Sequence, residues 1–171
     1  AGAAYALAWQ LDPEAQKQWP PNGDAHDWAF GGGRVRISVE DAAGRINLNQ
    51  ADPQLIRQAL TGVGLAEAER LAAAIVDWRD PDDQTQAGSA ESAEYGSAGR
   101  AGPKNAPFDS VDELPQVLGM DPEVAQRLVG LTTTETLISG IDSRLASIAV
   151  LRVVTGLDEQ TLADYVSARA T

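Results

Sequence analysis

Residues 34–49, which read RVRISVEDAAGRINLN, carry the pattern that decides the fold prediction. Polar and apolar residues alternate without a break from Arg34 to Glu40, so every second side chain faces the same side of a strand. A turn-like stretch at 41–44 follows, and the alternation resumes from Arg45 to Asn49. The sequence therefore predicts a β-hairpin whose strands lie at 34–40 and 45–49.

Helical signals lie on both sides of this hairpin. Residues 3–15 are rich in alanine and carry apolar residues at helical spacing, which indicates the end of a helix. Residues 19–24 contain two prolines and a glycine and are typical of a turn. Downstream, Asp52 suits an N-cap and Pro53 suits the first helical position, so helices are predicted from Pro53 and over 66–78.

A pattern of helix, glycine and second helix occurs three times along the chain. Its glycines are Gly64, Gly119 and Gly156, and each is followed by leucine or methionine. Glycine allows the backbone conformation that such a turn requires, and the residue after it is expected to fill the gap between the helices. The pattern is similar to the helix-hairpin-helix unit of SAM-like repeats.

The remaining segments complete an α+β prediction. Residues 79–106 hold few large apolar residues and are predicted to form an exposed acidic loop. Ser110 and Glu113 have the spacing of a capping box at the start of a helix, and a further helix is predicted over 121–131. The β-branched run at 132–141 predicts a strand, and 146–170 predicts the third helical hairpin.

The charge and the rare residues limit the possible chemistry. The chain carries 13 Lys and Arg against 25 Asp and Glu, a formal net charge of −12, and acidic residues follow the hairpin glycines where a phosphate would approach. This charge disfavours nucleic acid, whose binding depends on basic side chains. Without Cys there is no thiol nucleophile or Cys-type zinc site, and His26 is the one histidine.

Three segments, in this order along the chain, resemble the K-class minor pseudopilin of the type II secretion system. They are VEDAAGRINLN at Val39–Asn49, IVDWRDPDD at Ile75–Asp83 and KNAPFDSVDEL at Lys104–Leu114. The agreement in order and spacing extends over about residues 34–131. The resemblance implies a structural protein without catalytic activity, in which a pilin-like N-terminal helix end and a small antiparallel sheet hold an inserted helical domain of helix-hairpin-helix repeats.

The resemblance also implies how the chain is divided and where it acts. The pilin-like segment would be 1–49, the inserted helical domain 50–131 with its acidic loop at 79–106, and the returning strand with the third hairpin 132–171. The implied partners are the minor pseudopilins of the I and J classes, with the H class as a further candidate. The implied location is the tip of a periplasmic pseudopilus, anchored in the inner membrane by an N-terminal helix that this sequence lacks.

Two sets of site residues are predicted. Calcium prefers six to eight oxygen ligands, several of them carboxylates, and K-class pseudopilins are associated with bound calcium. The calcium candidates are Asp77, Asp80, Asp82, Asp83, Glu91 and Glu94, although Thr85 stands where a true EF-hand loop needs glycine. Contacts with partner pseudopilins are expected from the helix end and the hairpin, through Tyr5, Trp9, Val35, Ile37, Ile46 and Leu48.

Two other functions stay open at this point. The helical hairpins would also suit a nucleic-acid-binding module of the helix-hairpin-helix type, against which the net charge argues. The acidic loop with a metal ion would suit an enzyme, for which the sequence indicates no substrate. A solvated acidic surface without any metal is the simplest alternative for the loop.

Overall fold

A computed structural model describes residues 2–14, 18–81 and 92–169 of the chain. Its helices α1 to α7 span Gly2–Gln10, Pro53–Gly62, Ala68–Arg79, Ser92–Ser97, Pro122–Val129, Ile148–Thr155 and Glu159–Arg169. Its strands β1 to β4 span Asn22–Phe30, Gly33–Glu40, Ile46–Asn47 and Thr132–Thr133. Two 3-10 helices lie at Ala42–Gly44 and Val111–Gln116.

The predicted hairpin over 34–49 is wrong: a strand forms in each of its two halves, but the two strands do not pair with each other. Strand β2 forms as expected, but it pairs antiparallel with β1, through a turn at Gly31 and Gly32 whose φ angles are +60° and +83°. Strand β1 was missed because its first residues follow Pro20 and Pro21 and its sequence does not alternate. Together, β1 and β2 (Asn22–Glu40) are called the ribbon below.

The second predicted strand, at 45–49, has a distant partner instead. Strand β3 pairs parallel with β4, in the register Ile46 to Thr132 and Asn47 to Thr133. The N–H of Ile46 donates to the Leu131 carbonyl oxygen at 3.0 Å, on the same ladder. Parallel pairing requires a long connection, and here the connection contains helices α2 to α5. The helical body, residues 46–81 and 92–169, is built around this junction.

The first helical hairpin agrees with the sequence prediction. The Asp52 carboxylate accepts a hydrogen bond from the Leu55 N–H at 2.9 Å, and Pro53 begins α2. Gly64 has a φ of +89°, and α3 then packs its buried residues on α2. Trp78 is 5% exposed, which confirms that it belongs to the core.

The order of helix, glycine and helix is also present in the second and third hairpins. Gly119 and Gly156 have φ angles of +84° and +64°. The residue after the glycine is buried at Met120, half-buried at Leu65 and 46% exposed at Leu157, so the predicted gap-filling role fails in the third hairpin. Membership of the helix-hairpin-helix class stays a prediction.

Two segments differ from their predictions. Within the expected loop at 79–106, α4 forms and buries Tyr95, whose hydroxyl oxygen accepts a hydrogen bond from the Leu118 N–H at 2.8 Å. The strand expected over 132–141 ends after Thr133, because its continuation has no neighbouring strand to pair with among the described residues. Residues 82–91 of the acidic loop lie outside the described part of the chain.

One hydrophobic core joins the three helical hairpins. Its largest fully buried side chains include Tyr95, Ile46, Leu48, Leu60, Ile75, Leu114, Leu128, Leu162, Val117 and Val150. The apolar residues of β2 do not join it, since Val35, Ile37 and Val39 are only half-buried. Among the described helices, none has the length and apolar character needed to cross a bilayer.

Candidate assembly site: the motif junction and the ribbon

Asn47 is completely buried and joins β3 to the segment that follows β4. Its amide nitrogen donates to the Thr136 carbonyl oxygen at 2.5 Å and to the Thr136 hydroxyl oxygen at 3.0 Å. Its amide oxygen accepts from the N–H groups of Asn49 at 2.7 Å and Gln50 at 3.1 Å. Because a buried amide must be hydrogen-bonded, this residue fixes two segments 89 residues apart in one arrangement.

Asn49 makes a second connection from the same motif. Its amide nitrogen donates to the Phe108 carbonyl oxygen at 2.9 Å, and its amide oxygen accepts from the Phe108 N–H at 2.7 Å. The Asn49 side chain thus makes the same pair of hydrogen bonds with the Phe108 backbone that a neighbouring strand would make. The first resemblance motif is thereby joined to the third.

Arg79, from the second motif, completes the junction. Its guanidinium donates to the carbonyl oxygens of Leu48 and, at 2.7 Å, of Ala51. Burial lowers the pKa of Arg79, and the nearby charges of Asp80 and Asp52 oppose this shift. The guanidinium therefore serves as a half-buried cross-link between the end of α3 and the segment that precedes α2.

Glu113 organises the third motif. Its carboxylate accepts from Lys104 Nζ at 3.0 and 3.1 Å, from the Asp109 N–H at 2.9 Å and from the Trp78 indole N–H at 3.3 Å. The predicted capping box does not form, because Glu113 accepts from the Asp109 N–H rather than from that of Ser110, and the Ser110 hydroxyl oxygen accepts from the Asp112 N–H. Burial raises the pKa of Glu113, but the hydrogen bonds and the charge of Lys104 outweigh burial and hold the pKa below its usual value.

We call Asn47, Asn49, Arg79, Phe108 and Glu113 the motif junction. The three motifs that carry the family resemblance meet here, and their polar residues make structural contacts. Sequence analysis missed these roles, although asparagines between apolar strand positions and an arginine after a buried tryptophan were visible signals.

Two glycines attach the third hairpin to this body. A Cβ atom on Gly44 would lie 2.6 Å from the Leu145 carbonyl oxygen, and one on Gly62 would lie 2.5 Å from Val153 Cα. Both distances are far below van der Waals contact, so these positions have no room for any side chain. The Asp142 N–H also donates to the Ala43 carbonyl oxygen at 2.8 Å.

Every basic side chain described between 50 and 169 already has an intramolecular partner. Ion pairs join Arg57 to Glu69, Arg70 to Glu67, Lys104 to Glu113, Arg127 to Glu123, Arg144 to Asp142 and Arg152 to Glu159. The other three, Arg79, Arg100 and Arg169, donate to backbone carbonyl oxygens. Within the part of the body that the structure describes, acidic side chains and backbone carbonyl oxygens therefore compete with any phosphate for these basic side chains.

The ribbon has a different surface. On its exposed face, Arg36 pairs with Asp27 across the strands at 3.0 Å, and these side chains are 74% and 62% exposed. On its other face, the Trp19 ring stacks on His26 with the centroids 4.5 Å apart, and Trp9 of α1 meets Trp19 edge-on at 5.0 Å. This half-covered aromatic and aliphatic face is where α1 and the ribbon meet.

The structure separates the predicted partner-binding residues into two groups. Ile46 and Leu48 are each 1% exposed and belong to the core, so they are corrected to structural residues; burial in the parallel ladder removes them from the surface. Trp9, Val35 and Ile37 are half-buried around the ribbon and stay predicted contact residues. The side chain of Tyr5 lies outside what the structure describes.

The predicted calcium ligands are only partly within the described residues. Asp77 is 1% exposed in α3, Asp80 is half-buried at the end of that helix, and Glu94 is exposed in α4. Asp82, Asp83 and Glu91 fall in the undescribed segment. Among the residues that are described, no group of three acidic or histidine side chains is placed to hold a metal ion.

The described fold defines a class of α+β protein, with a helical body built around a parallel two-strand junction and a separate antiparallel ribbon. Residues 38–134 of the 171-residue chain match the family described as Type II secretion system (T2SS), protein K. The chain therefore belongs to the protein K family of the type II secretion system, and it is a minor pseudopilin. This family implies a place in the periplasmic pseudopilus.

A solved structure supports the fold independently. The chain is similar to a chain of the GspK-GspI-GspJ complex from the type 2 secretion system of enterotoxigenic Escherichia coli, with a TM-score of 0.56 and 16% sequence identity. The match covers 95% of this chain and 74% of the other. The comparison with curated proteins found no match.

Proposed function

We propose that this protein caps or nucleates the pseudopilus tip together with minor pseudopilins of the I and J classes. The observation that carries the proposal is the family match over 38–134, which contains the motif junction. The likeness to a chain solved within a GspK-GspI-GspJ complex supports the choice of partners. In this role the helical body is a rigid head and the ribbon with α1 is the part that joins the neighbouring subunits.

Co-purification tests this function directly. The I-class and J-class pseudopilins of the same secretion system would be expressed with this chain, of which only one subunit carries an affinity tag. Joint elution of the three proteins in size-exclusion chromatography is expected. A folded chain that elutes apart from both partners would contradict the proposal, and circular dichroism of the eluted chain checks that it is folded.

The proposal assigns the chain no catalysis. Its support is the structural use of the polar motif residues, since Asn47, Asn49 and Arg79 are occupied by backbone groups. A non-enzymatic role predicts that a variant with a disrupted junction loses assembly in proportion to its loss of folding. A catalytic activity of the purified chain that is abolished by Asp80→Ala, in a variant that stays folded, would support the enzyme alternative instead.

The proposed location is the periplasmic side of the inner membrane, with an apolar helix upstream of α1 as the anchor. Its support is the family's place in the pseudopilus. Fractionation of cells that express the natural gene is expected to place the protein in the inner-membrane fraction. Recovery in the cytoplasmic fraction would contradict this.

Calcium binding by the acidic segment is also proposed. Its support is that carboxylates lie on both sides of residues 82–91. Asp80 caps the end of α3, and Glu94 lies in α4. Carboxylate oxygens are the ligands that calcium prefers. A rise of the melting temperature with millimolar calcium and not with magnesium is expected, and an unchanged melting temperature would overturn the proposal.

A further inference from the structure

The first half of the motif at 39–49 takes no part in the motif junction. Its residues 41–45 form a closed turn between the ribbon and the helical body. The Asp41 carboxylate accepts a hydrogen bond from the Ala43 N–H at 2.8 Å, and the Gly44 N–H donates to the Asp41 carbonyl oxygen at 3.0 Å. These bonds give the turn a fixed shape of its own. Residues 41–45 are called the joint below.

Two contacts attach the joint to the base of the ribbon. The Asp41 N–H donates to the Pro21 carbonyl oxygen at 2.8 Å. Arg45 donates through Nε to the Glu40 carboxylate at 2.8 Å, and these side chains are 34% and 33% exposed. The Glu40 carboxylate also lies over Gly23 of β1, where a Cβ atom would approach it to 2.9 Å. The ion pair therefore connects both strands of the ribbon to the residue that precedes β3.

Two further contacts attach the joint to the helical body. The Ala43 carbonyl oxygen accepts from the Asp142 N–H at 2.8 Å. Gly44 is buried against the Leu145 carbonyl oxygen, which a Cβ atom at this position would approach to 2.6 Å. Residues 142–146 lead into α6, so the joint is seated on the segment that positions the third hairpin.

The number of attachments decides whether the joint can act as a hinge. Hinges are short segments whose backbone angles change while the parts on either side keep their shape. A single attachment would leave the ribbon free to turn about it, whereas two separated attachments on each side oppose that rotation. On the ribbon side, one of the two is the side-chain pair of Glu40 and Arg45. Its loss would leave the Asp41 backbone hydrogen bond as the remaining contact of the two.

We propose that residues 41–45 form a rigid joint that fixes the direction of the ribbon relative to the helical body, with Glu40 and Arg45 as its positioning pair. The pair acts through the ribbon and not by touching a neighbouring subunit. It holds the ribbon and α1 in the orientation in which the neighbouring subunits meet them. This inference rests on the proposed function, because it takes the ribbon with α1 to be the part that joins those subunits.

A distance measurement across the joint tests the proposal. The chain has no cysteine, so Ala25→Cys on β1 and Gln126→Cys on α5, both at exposed positions, would carry spin labels on the free full chain for double electron–electron resonance. A narrow distribution of distances is expected when the joint is intact. Arg45→Ala is expected to broaden the distribution or to shift its mean. Arg45→Lys keeps the charge but not the planar guanidinium, so an intermediate result is expected.

Arg36→Ala is the matched control for the distances. It removes another arginine–carboxylate pair, on the exposed face of the ribbon, and leaves the joint intact. Its distribution is expected to equal that of the labelled chain without further changes. The melting temperature of Arg45→Ala is expected to be nearly unchanged, because a partly exposed ion pair adds little to stability. If Arg45→Ala does not fold, Glu40→Gln takes its place, since it removes the charge and keeps the side-chain shape.

An unchanged distribution in the folded Arg45→Ala variant would overturn the joint. The same broadening in Arg36→Ala would also overturn it, because any loss of an ion pair from the ribbon would then have that effect.

Co-purification with the I-class and J-class pseudopilins separates this proposal from the function on which it rests. Arg45→Ala is expected to weaken the partner interaction by roughly fivefold. If the unmodified chain binds its partners and Arg45→Ala changes the distances but not the affinity, the proposed function stands and the positioning role is overturned. If the unmodified chain binds neither partner, the function fails and the positioning role in assembly fails with it.

Discussion

The Asp27–Arg36 pair of the ribbon and the Glu113–Lys104 pair of the helical body differ mainly in their exposure to water. Asp27 and Arg36 are 62% and 74% exposed, whereas Glu113 and Lys104 are 15% and 25% exposed. Solvent and salt screen the first pair, so it contributes little to folding. The second pair is tied to a backbone N–H and to an indole, so its loss would leave polar groups unsatisfied. Of the two pairs, the one in the body is therefore expected to contribute more to stability.

The largest effect is expected from Gly62→Ala. The new methyl group would lie 2.5 Å from Val153 Cα, so α2 and α6 must move apart. Overpacking of this kind lowers the free energy of unfolding by about 3 kcal/mol. Urea unfolding would measure the change.

Gly130→Ala is the matched control for this glycine. Gly130 has a φ of −72°, and a methyl group there would meet no atom within 4 Å. The control is expected to change stability by less than about 1 kcal/mol, in the stabilising direction. If both variants lost the same free energy of unfolding, the loss in Gly62→Ala would not be due to the close approach of α2 and α6.

Asn47→Ala is expected to have the next largest effect. The change removes the side-chain partner of the Thr136 carbonyl oxygen and of the Asn49 N–H, whereas the Gln50 N–H keeps its bond to the Asn47 backbone carbonyl oxygen at 3.3 Å. Loss of about 2–3 kcal/mol in the free energy of unfolding follows. Gln50→Ala, on an exposed neighbour, is expected to stay within about 0.5 kcal/mol. A loss below 1 kcal/mol for Asn47→Ala would contradict the central place of the junction.

Glu113 predicts a pH dependence of smaller size. Because the folded state lowers the pKa of Glu113 below its usual 4.5, the stability it contributes is present above that pH and is lost as the pH falls through the folded-state pKa. Glu113→Gln should cost about 1 kcal/mol at neutral pH and flatten the stability profile below about pH 4.5. Melting temperatures at several pH values test this, with exposed Glu135→Gln as the control. A profile as steep as that of the unmodified chain would exclude this role.

Asp27→Asn on the ribbon is expected to have the smallest effect. The Arg36 hydrogen bond lowers the pKa of Asp27, but both side chains are largely exposed to solvent. The unfolding midpoint should not change measurably, at low or high salt. A clear destabilisation would remove the contrast between the ribbon and the body.

The same contrast explains which structural features the sequence could predict. Alternation identified β2, and the capping residues Asp52 and Pro53 identified the start of α2, because these signals are local. The partner of β3 was missed because it lies in a segment about 86 residues away in the chain, at Thr132, and nothing local encodes it. The family motifs were recognised correctly, but their joint role depends on side chains of Asn47, Arg79 and Glu113 that meet only in the folded chain.

Hydrogen exchange with and without the I-class and J-class pseudopilins tests most directly the claim that a rigid body presents an assembly ribbon. The account predicts that the partners slow exchange in Gly33–Glu40, while the amides of α2 and α3 are already protected in the free chain and do not change. A gain of protection confined to the helical body, with the ribbon unchanged, would contradict it.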